Sequence, residues 1–203
     1  MARRISSSSQ AILGLLSIEP MSGYDLGQNI RASVGHIWSE SYGQIYPNLK
    51  KLAAEGLVSS KVEVQKGKPD RRVYSITQKG RDRLIGWLAT PPQPEIPRNE
   101  MLLKLFFGSL ASPAVLIGYV EQMVAQRRAL LEKFTGIERE IGEIGEIGDR
   151  PEAPFWRMTA RFGQLEMEAH LHWAKETLAA LRKLERQQNK KAGLKKEKRH
   201  ARR

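Results

Sequence analysis

Apolar residues recur three or four apart at Ile12, Leu15 and Leu16, at Leu26 and Ile30, and at Ile45, Leu49 and Leu52. This spacing predicts three short helices, each with one face to bury. Serines 6–9 can cap the first, and Pro20 stops it soon after Leu16. Ser22 followed by Asp25 has capping-box spacing for the second, which should end near Gly35. Ser41 and Gln44 repeat that spacing for the third. Pro47 lacks an N–H and crowds the carbonyl of Gly43, so a late start or a bend is expected there. Gly56 suits the left-handed residue that ends a helix. Val58, Ser60, Val62 and Val64 then alternate with Ser59, Lys61, Glu63 and Gln65, the two-residue period of a half-buried strand. Turn residues 66–70 and a returning strand at 71–76 complete a hairpin. Thr77 is placed to cap a fourth helix with Leu84, Trp87 and Leu88 on its buried face.

Beyond this point the pattern lengthens. Residues 90–98 contain four prolines and read as an extended linker. Residues 100–110 are apolar enough for a short buried helix, and Ser112 followed by Pro113 is a helix start. The long helix that follows carries a stripe through Leu116, Val120, Met123, Leu130, Phe134, Ile137, Ile141 and Ile144, with one gap across Arg127. Such a stripe is a helix–helix seam. Gly142, Gly145 and Gly148 each cost about 1 kcal/mol relative to alanine, so its last turns should fray. A second long helix, about 153–188, is predicted to pack through Thr159, Phe162, Glu166, Ala169, Trp173, Thr177, Ala180 and Leu184. The expected architecture is mainly α with a small β-hairpin wing. Residues 1–89 form a winged helix-turn-helix, 90–98 a proline-rich linker, 99–188 a helical dimerisation and effector domain, and 189–203 a basic disordered tail.

Charge sharpens this division. The 203 residues carry a formal net charge of +12, distributed unevenly. Residues 1–88 hold 13 basic and 7 acidic side chains, 89–188 hold 13 and 14, and 189–203 hold 8 and 1. The surplus sits in the winged third and the tail, which points to phosphate-bearing partners at two places. With no cysteine, disulfides, thiolate metal sites and cysteine nucleophiles are excluded. No apolar run reaches the ~18–20 residues of a membrane span, and the N-terminus lacks the apolar core of a signal peptide. A cytoplasmic protein with no membrane partner is expected.

The third helix turns Gly43, Pro47, Lys50 and Lys51 to the side opposite Ile45, Leu49 and Leu52, the arrangement of a DNA-recognition helix whose candidate contacts are Ser41, Gly43, Gln44, Tyr46, Pro47, Lys50 and Lys51. Lysines on an amphipathic helix merely solubilise many domains. Here a hairpin with Lys66, Lys68, Arg71 and Arg72 at its tip follows at once and can lie on the phosphates beside the groove. Gln44 is the better base-reading candidate because Asn48 lies nearer the packed flank, and Tyr46 lies farther from that face than Tyr42.

Phe106, Phe107, Tyr119, Trp156, Phe162 and Trp173 can line a pocket for an aromatic effector, although aromatics at helical spacing more often form core or dimer interface. Glu166 with His170 and Glu168 with His172 are four apart, read as helix-surface pairs rather than metal ligands. No phosphate loop, nucleophile elbow or His-Glu-x-x-His set is present, so neither an enzyme nor a cofactor is expected.

Ile12-Leu13-Gly14-Leu15-Leu16, Met21-Ser22-Gly23-Tyr24-Asp25-Leu26, the run from Gly43 to Leu52 and Tyr74-Ser75-Ile76-Thr77-Gln78-Lys79-Gly80 together resemble the PadR family of bacterial transcriptional regulators. Glu100-Met101-Leu102-Leu103-Lys104-Leu105-Phe106-Phe107 resembles the start of the longer helical C-terminal domain of one branch. The resemblance implies a homodimer held by C-terminal helices, each winged domain reading half of a roughly palindromic duplex operator. It also implies repression relieved by a small molecule, or activation as in relatives that switch on virulence genes. Two other classes remain open at this point: a nonspecific nucleoid or RNA-binding protein, and a ligand-binding module whose winged domain contacts proteins.

Overall fold

Hydrophobic spacing becomes packing in a computed structural model that describes residues 7–33, 35, 42–64, 70–94, 98–147 and 150–200. The chain divides between Glu95 and Ile96 into two units, each with its own core.

In the first unit, helices α1 (Ser7–Ile18), α2 (Gly23–Ala32) and α3 (Tyr42–Ala54) bury Ile12, Leu13, Leu16, Leu26, Ile30, Ile45, Leu49 and Leu52 against one another. The capping box at α2 forms as its spacing predicts: the Ser22 hydroxyl accepts from the Asp25 N–H, and the Asp25 carboxylate accepts from the Ser22 N–H. The helix ends at Ala32, a turn before Gly35. Ser9 is no cap. It lies inside α1, fully buried, and its hydroxyl donates to Asn48 Oδ1 at 2.7 Å, tying α1 to α3. Nor does Pro47 delay α3, which starts at Tyr42 and runs through it. A proline in the second turn removes only one backbone hydrogen bond, and burial of Ile45, Leu49 and Leu52 offsets that loss. Ser41, and with it the proposed cap, lies outside the described residues.

Gly56 ends α3 with φ +69°, the left-handed conformation open to glycine at little cost. Strands β2 (Val58–Glu63) and β3 (Arg71–Ile76) pair antiparallel from Val58 opposite Ile76 to Glu63 opposite Arg71. A two-residue strand that the sequence pattern does not mark, β1 (Met21–Ser22), adds to the far side of β3, giving the order β1-β3-β2. The half-buried strand is a correction. Only Val58 of β2 is buried, and Val62 is 54% exposed, because the hairpin extends past the helices that would cover it. Thr77 caps α4 (Gln78–Leu88) by accepting from the Gly80 N–H. Leu84 is buried there, whereas Trp87 and Leu88 are exposed, so the buried face is narrower than expected.

In the second unit, α5 (Glu100–Phe106) and the 3-10 turn Gly108–Leu110 lead into α6 (Pro113–Ile147), which packs along α7 (Ala153–His200). The short helix expected to be buried has no buried residue: Leu102, Leu103, Phe106, Phe107 and Leu110 are all exposed. Along α6 the predicted seam holds, with Leu116, Val120, Phe134 and Ile141 buried, while the Ile144 side chain lies outside the described residues.

The stripe on α7 is different from the one predicted. Ala153, Ala160, Met167, Ala174 and Leu181 are buried at a spacing of seven, with Gly163 and Gln164 buried between them, whereas Phe162, Ala169 and Leu184 face outward. Small residues win the seam because they let the helices approach closely, which side-chain size alone does not reveal. Gly163 is the tightest point: the buried Phe134 ring lies directly over it, where a Cβ would overlap the ring. Gly163→Ala should therefore destabilise, since overpacking of about 1–3 kcal/mol exceeds the ~1 kcal/mol gain in helix propensity. Gly118→Ala, with open space at its Cβ, should raise the melting temperature instead. Denaturant titration of both variants checks the pair, and equal shifts of one sign would contradict the close contact.

Of the tail expected to be disordered, residues 189–200 continue α7, and residues 201–203 lie outside the described residues. Lys, Arg, Gln, Glu and Ala are strong helix formers, and extending an existing helix escapes the cost of nucleation.

Candidate nucleic-acid interface and ligand cavity

Along α3, Gly43, Gln44, Tyr46, Pro47 and Lys50 are exposed and Lys51 is half-buried, so the helix presents a continuous polar face outside the core. Asn48 does not belong to it functionally. Its Oδ1 accepts from Ser9 and its Nδ2 donates to the Gln44 carbonyl at 2.7 Å, leaving the Gln44 side chain as the amide facing solvent. Tyr46 is 55% exposed, with its ring against Gly23 at the start of α2. That contact aims its hydroxyl beside the N-terminus of a second helix, an environment favourable to phosphate. The Tyr42 side chain lies outside the described residues.

The base of the wing is fastened. Arg71 reaches the Asp25 carboxylate at 3.4 Å and that of Glu63 at 3.5 Å, linking the cap of α2 to both strands. Its guanidinium is thus a positioning group as well as a cation of the wing, which the sequence could not distinguish. Arg72 is exposed at the next position, whereas Lys66 and Lys68 lie outside the described residues. Behind α3, Lys79 Nζ donates to the Glu55 carbonyl at 2.9 Å, a cation at a helix C-terminus. These contacts tie the wing to the start of α2 and the end of α3 to α4.

The six aromatic candidates do not meet in one pocket. Trp156 packs with Ile137, Ile141 and Ala160, and Phe162 is exposed. Phe106 and Phe107 are exposed and stack edge to face, with centroids 5.1 Å apart. Tyr119 and Trp173, however, line a cavity of about 450 Å³ bounded by α5, α6 and α7. Two polar groups missed at the sequence level face it, Arg127 and His170. Arg127 Nε and His170 Nδ1 are buried without a hydrogen-bond partner. The signal for Arg127 was the break it makes in the apolar stripe of α6. At the rim, the Lys104 ammonium lies 2.9 Å from Glu100 and 5.1 Å from the centre of the Tyr119 ring. Hydrogen bonding to Lys104 holds the Glu100 carboxyl below its ordinary range, and the same bond raises Lys104, so both stay charged near neutrality.

Neither predicted Glu–His pair forms: His172 lies 3.2 Å from Glu176, Glu168 meets Arg161, and His170 faces the cavity. Among the described residues there is no cluster of three metal-ligating side chains and no helix long and apolar enough to cross a membrane.

Residues 12–85 match the Transcriptional regulator PadR-like family, and residues 97–182 match the Virulence activator alpha C-term family. The chain is 30% identical over 175 residues to the negative transcriptional regulator PadR of Bacillus subtilis, covering 85% of this chain and 96% of that one. It belongs to the PadR family of transcriptional regulators. The structure of Bacillus subtilis PadR in complex with operator DNA is similar at TM-score 0.76, with 26% identity, covering 88% of this chain and 99% of that one. The same protein in complex with p-coumaric acid is similar at 0.67 and 26% identity, covering 89% and 98%. The Vibrio cholerae virulence activator AphA is similar at 0.70 and 30% identity, covering 87% and 99%. The winged fold and the regulator class expected from the sequence are therefore those of the PadR family.

Proposed function

We propose that this PadR-family chain is a homodimeric repressor of a roughly palindromic operator, released by a small aromatic acid. The observation that carries DNA binding is the exposed face of α3 beside the wing. Gln44 reads a base edge in the major groove, Lys50, Lys51 and Tyr46 contact phosphates, and Arg72 with Lys66 and Lys68 holds the flanking backbone. The operator complex of Bacillus subtilis PadR supports this reading.

Dimerisation is supported by a second apolar stripe on α7. Phe155, Met158, Phe162 and Leu165 recur three or four apart, each at least 48% exposed. A second copy supplies a self-complementary cover for such a stripe. The aromatic acid fits the cavity: Tyr119 and Trp173 take its ring, while Arg127 Nε–H and the Nδ1–H tautomer of His170 donate to its carboxylate. Binding there removes the cost of two unpaired buried polar groups, each about 1–3 kcal/mol. The p-coumaric acid complex of the Bacillus relative supports this ligand class.

The test is protection of the chain's own upstream DNA, with and without added p-coumaric acid. A dyad-symmetric footprint that disappears on addition is the expected result. Arg127→Ala should keep the footprint and raise the acid concentration needed for release at least tenfold. Release at unchanged concentration would place the ligand elsewhere. AphA, an activator by name, favours a second reading in which the bound chain switches transcription on. A reporter that falls when the gene for this chain is deleted would establish it.

A further inference from the structure

The C-terminal end of α7 lies beyond the exposed stripe assigned to the dimer and lines no part of the cavity. Leu181 is its last buried residue among those described, and Arg182 pairs with Glu121 on α6 at 2.8 Å. The match to the C-terminal family also stops at residue 182. From Arg186 through Leu194 every side chain is exposed, yet the backbone stays helical to His200. Residues 187–200 thus extend about 20 Å with no described partner in the chain.

Composition along this arm is one-sided. It contains Lys190, Lys191, Lys195, Lys196, Lys198 and Arg199, with Glu197 the single acid. Positions 191, 195, 198 and 199 fall three or four apart on one face of the helix, and position 197 lies well away from it. Like charges at this spacing repel by roughly 0.2–0.5 kcal/mol per pair, so the isolated arm works against itself. A polyanion laid along the face turns that repulsion into attraction. A largely polar helix whose described side chains are exposed from residue 186 through 194 finds its reason in such a partner.

We propose that residues 187–200 form a second, sequence-independent DNA contact, a helical arm that lies on duplex phosphates outside the operator. The proposal rests on the DNA-binding reading of the winged unit, which favours duplex DNA over other polyanions. B-DNA presents one charge per ~1.7 Å of axis, enough for all four cations of the basic face. The arm raises residence on any duplex and leaves base preference to α3.

The full-length chain should be compared with a chain ending at Gln188, and with Lys191→Gln, Lys195→Gln, Lys198→Gln and Arg199→Gln combined. Binding to the operator and to random duplex is measured from low to moderate salt. Each phosphate left without its cation removes about 0.9 from the log–log salt slope, so the slope should fall by roughly 3–4 on both DNAs. At low salt both affinities should drop about tenfold or more by a common factor, preserving their ratio. Unchanged slopes with intact operator binding would overturn the arm and leave the winged reading standing. Binding lost only to single-stranded RNA, or only to anionic vesicles, would overturn it in favour of those partners. Failure of the full-length chain to bind any duplex would remove both readings together.

Discussion

Cut after Ala89, the chain should remain a folded winged unit, be monomeric, and bind its operator roughly 10²- to 10⁴-fold more weakly than the full-length protein. The unit contains its whole core, from Ile12 to Leu84, and all three strands, so nothing needed for its folding is removed. What is removed is the outward stripe of α7 that we assign to the dimer. Without it the second half-site is reached only by an independent encounter, and the gain from effective concentration disappears. Light scattering gives the oligomeric state and titration of operator DNA gives the affinity. A stable dimer of residues 1–89 would move the interface into the winged unit.

Gln44→Ala should weaken operator binding by about 1–3 kcal/mol, roughly tenfold or more, with little effect on random duplex. The side chain sits on the exposed face of α3, and its removal leaves the core of Ile45, Leu49 and Leu52 untouched. Asn48→Ala provides the contrast. It breaks the Ser9 hydrogen bond and should lower stability, whereas Gln44→Ala should not. Lys68→Ala with Arg72→Ala should weaken operator and random DNA alike and lower the salt slope by about 0.9 for each phosphate no longer neutralised. A wing variant that changed base preference with an unchanged slope would reverse the assignment of the two elements.

Much of the winged unit is legible in the sequence, because local rules there agree with the tertiary result. Spacing marks the buried faces of α1, α2 and α3. Ser22 with Asp25 marks a helix start, Gly56 a helix end and Thr77 a cap, each depending on groups within a few residues. The solvent-facing set on α3 follows from the same wheel, since what faces away from Ile45, Leu49 and Leu52 has little choice. Short-range signals also carry the start of α6 at Pro113.

Where distant residues decide, local pattern is not enough. Spacing assigns much of the wrong face of α7 to the seam because Phe162 and Leu184 outweigh Ala160, Gly163 and Ala174 by size, whereas close approach to Phe134 selects the small ones. Strand β1, the Ser9–Asn48 bond and the Asp25–Arg71–Glu63 link each join segments far apart in the chain, and no local period encodes them. The same holds for the cavity. Aromatic composition names six residues, of which only Tyr119 and Trp173 line it, and its unpartnered Arg127 and His170 come from two helices that must pack before the groups meet. By itself the sequence determined the main helices and the hairpin, the family and the solvent-facing set on α3, because these follow from neighbours three or four residues away. Only the tertiary structure decided the seam, the fastening of the wing and the cavity, because they depend on contacts across tens of residues that periodicity does not carry.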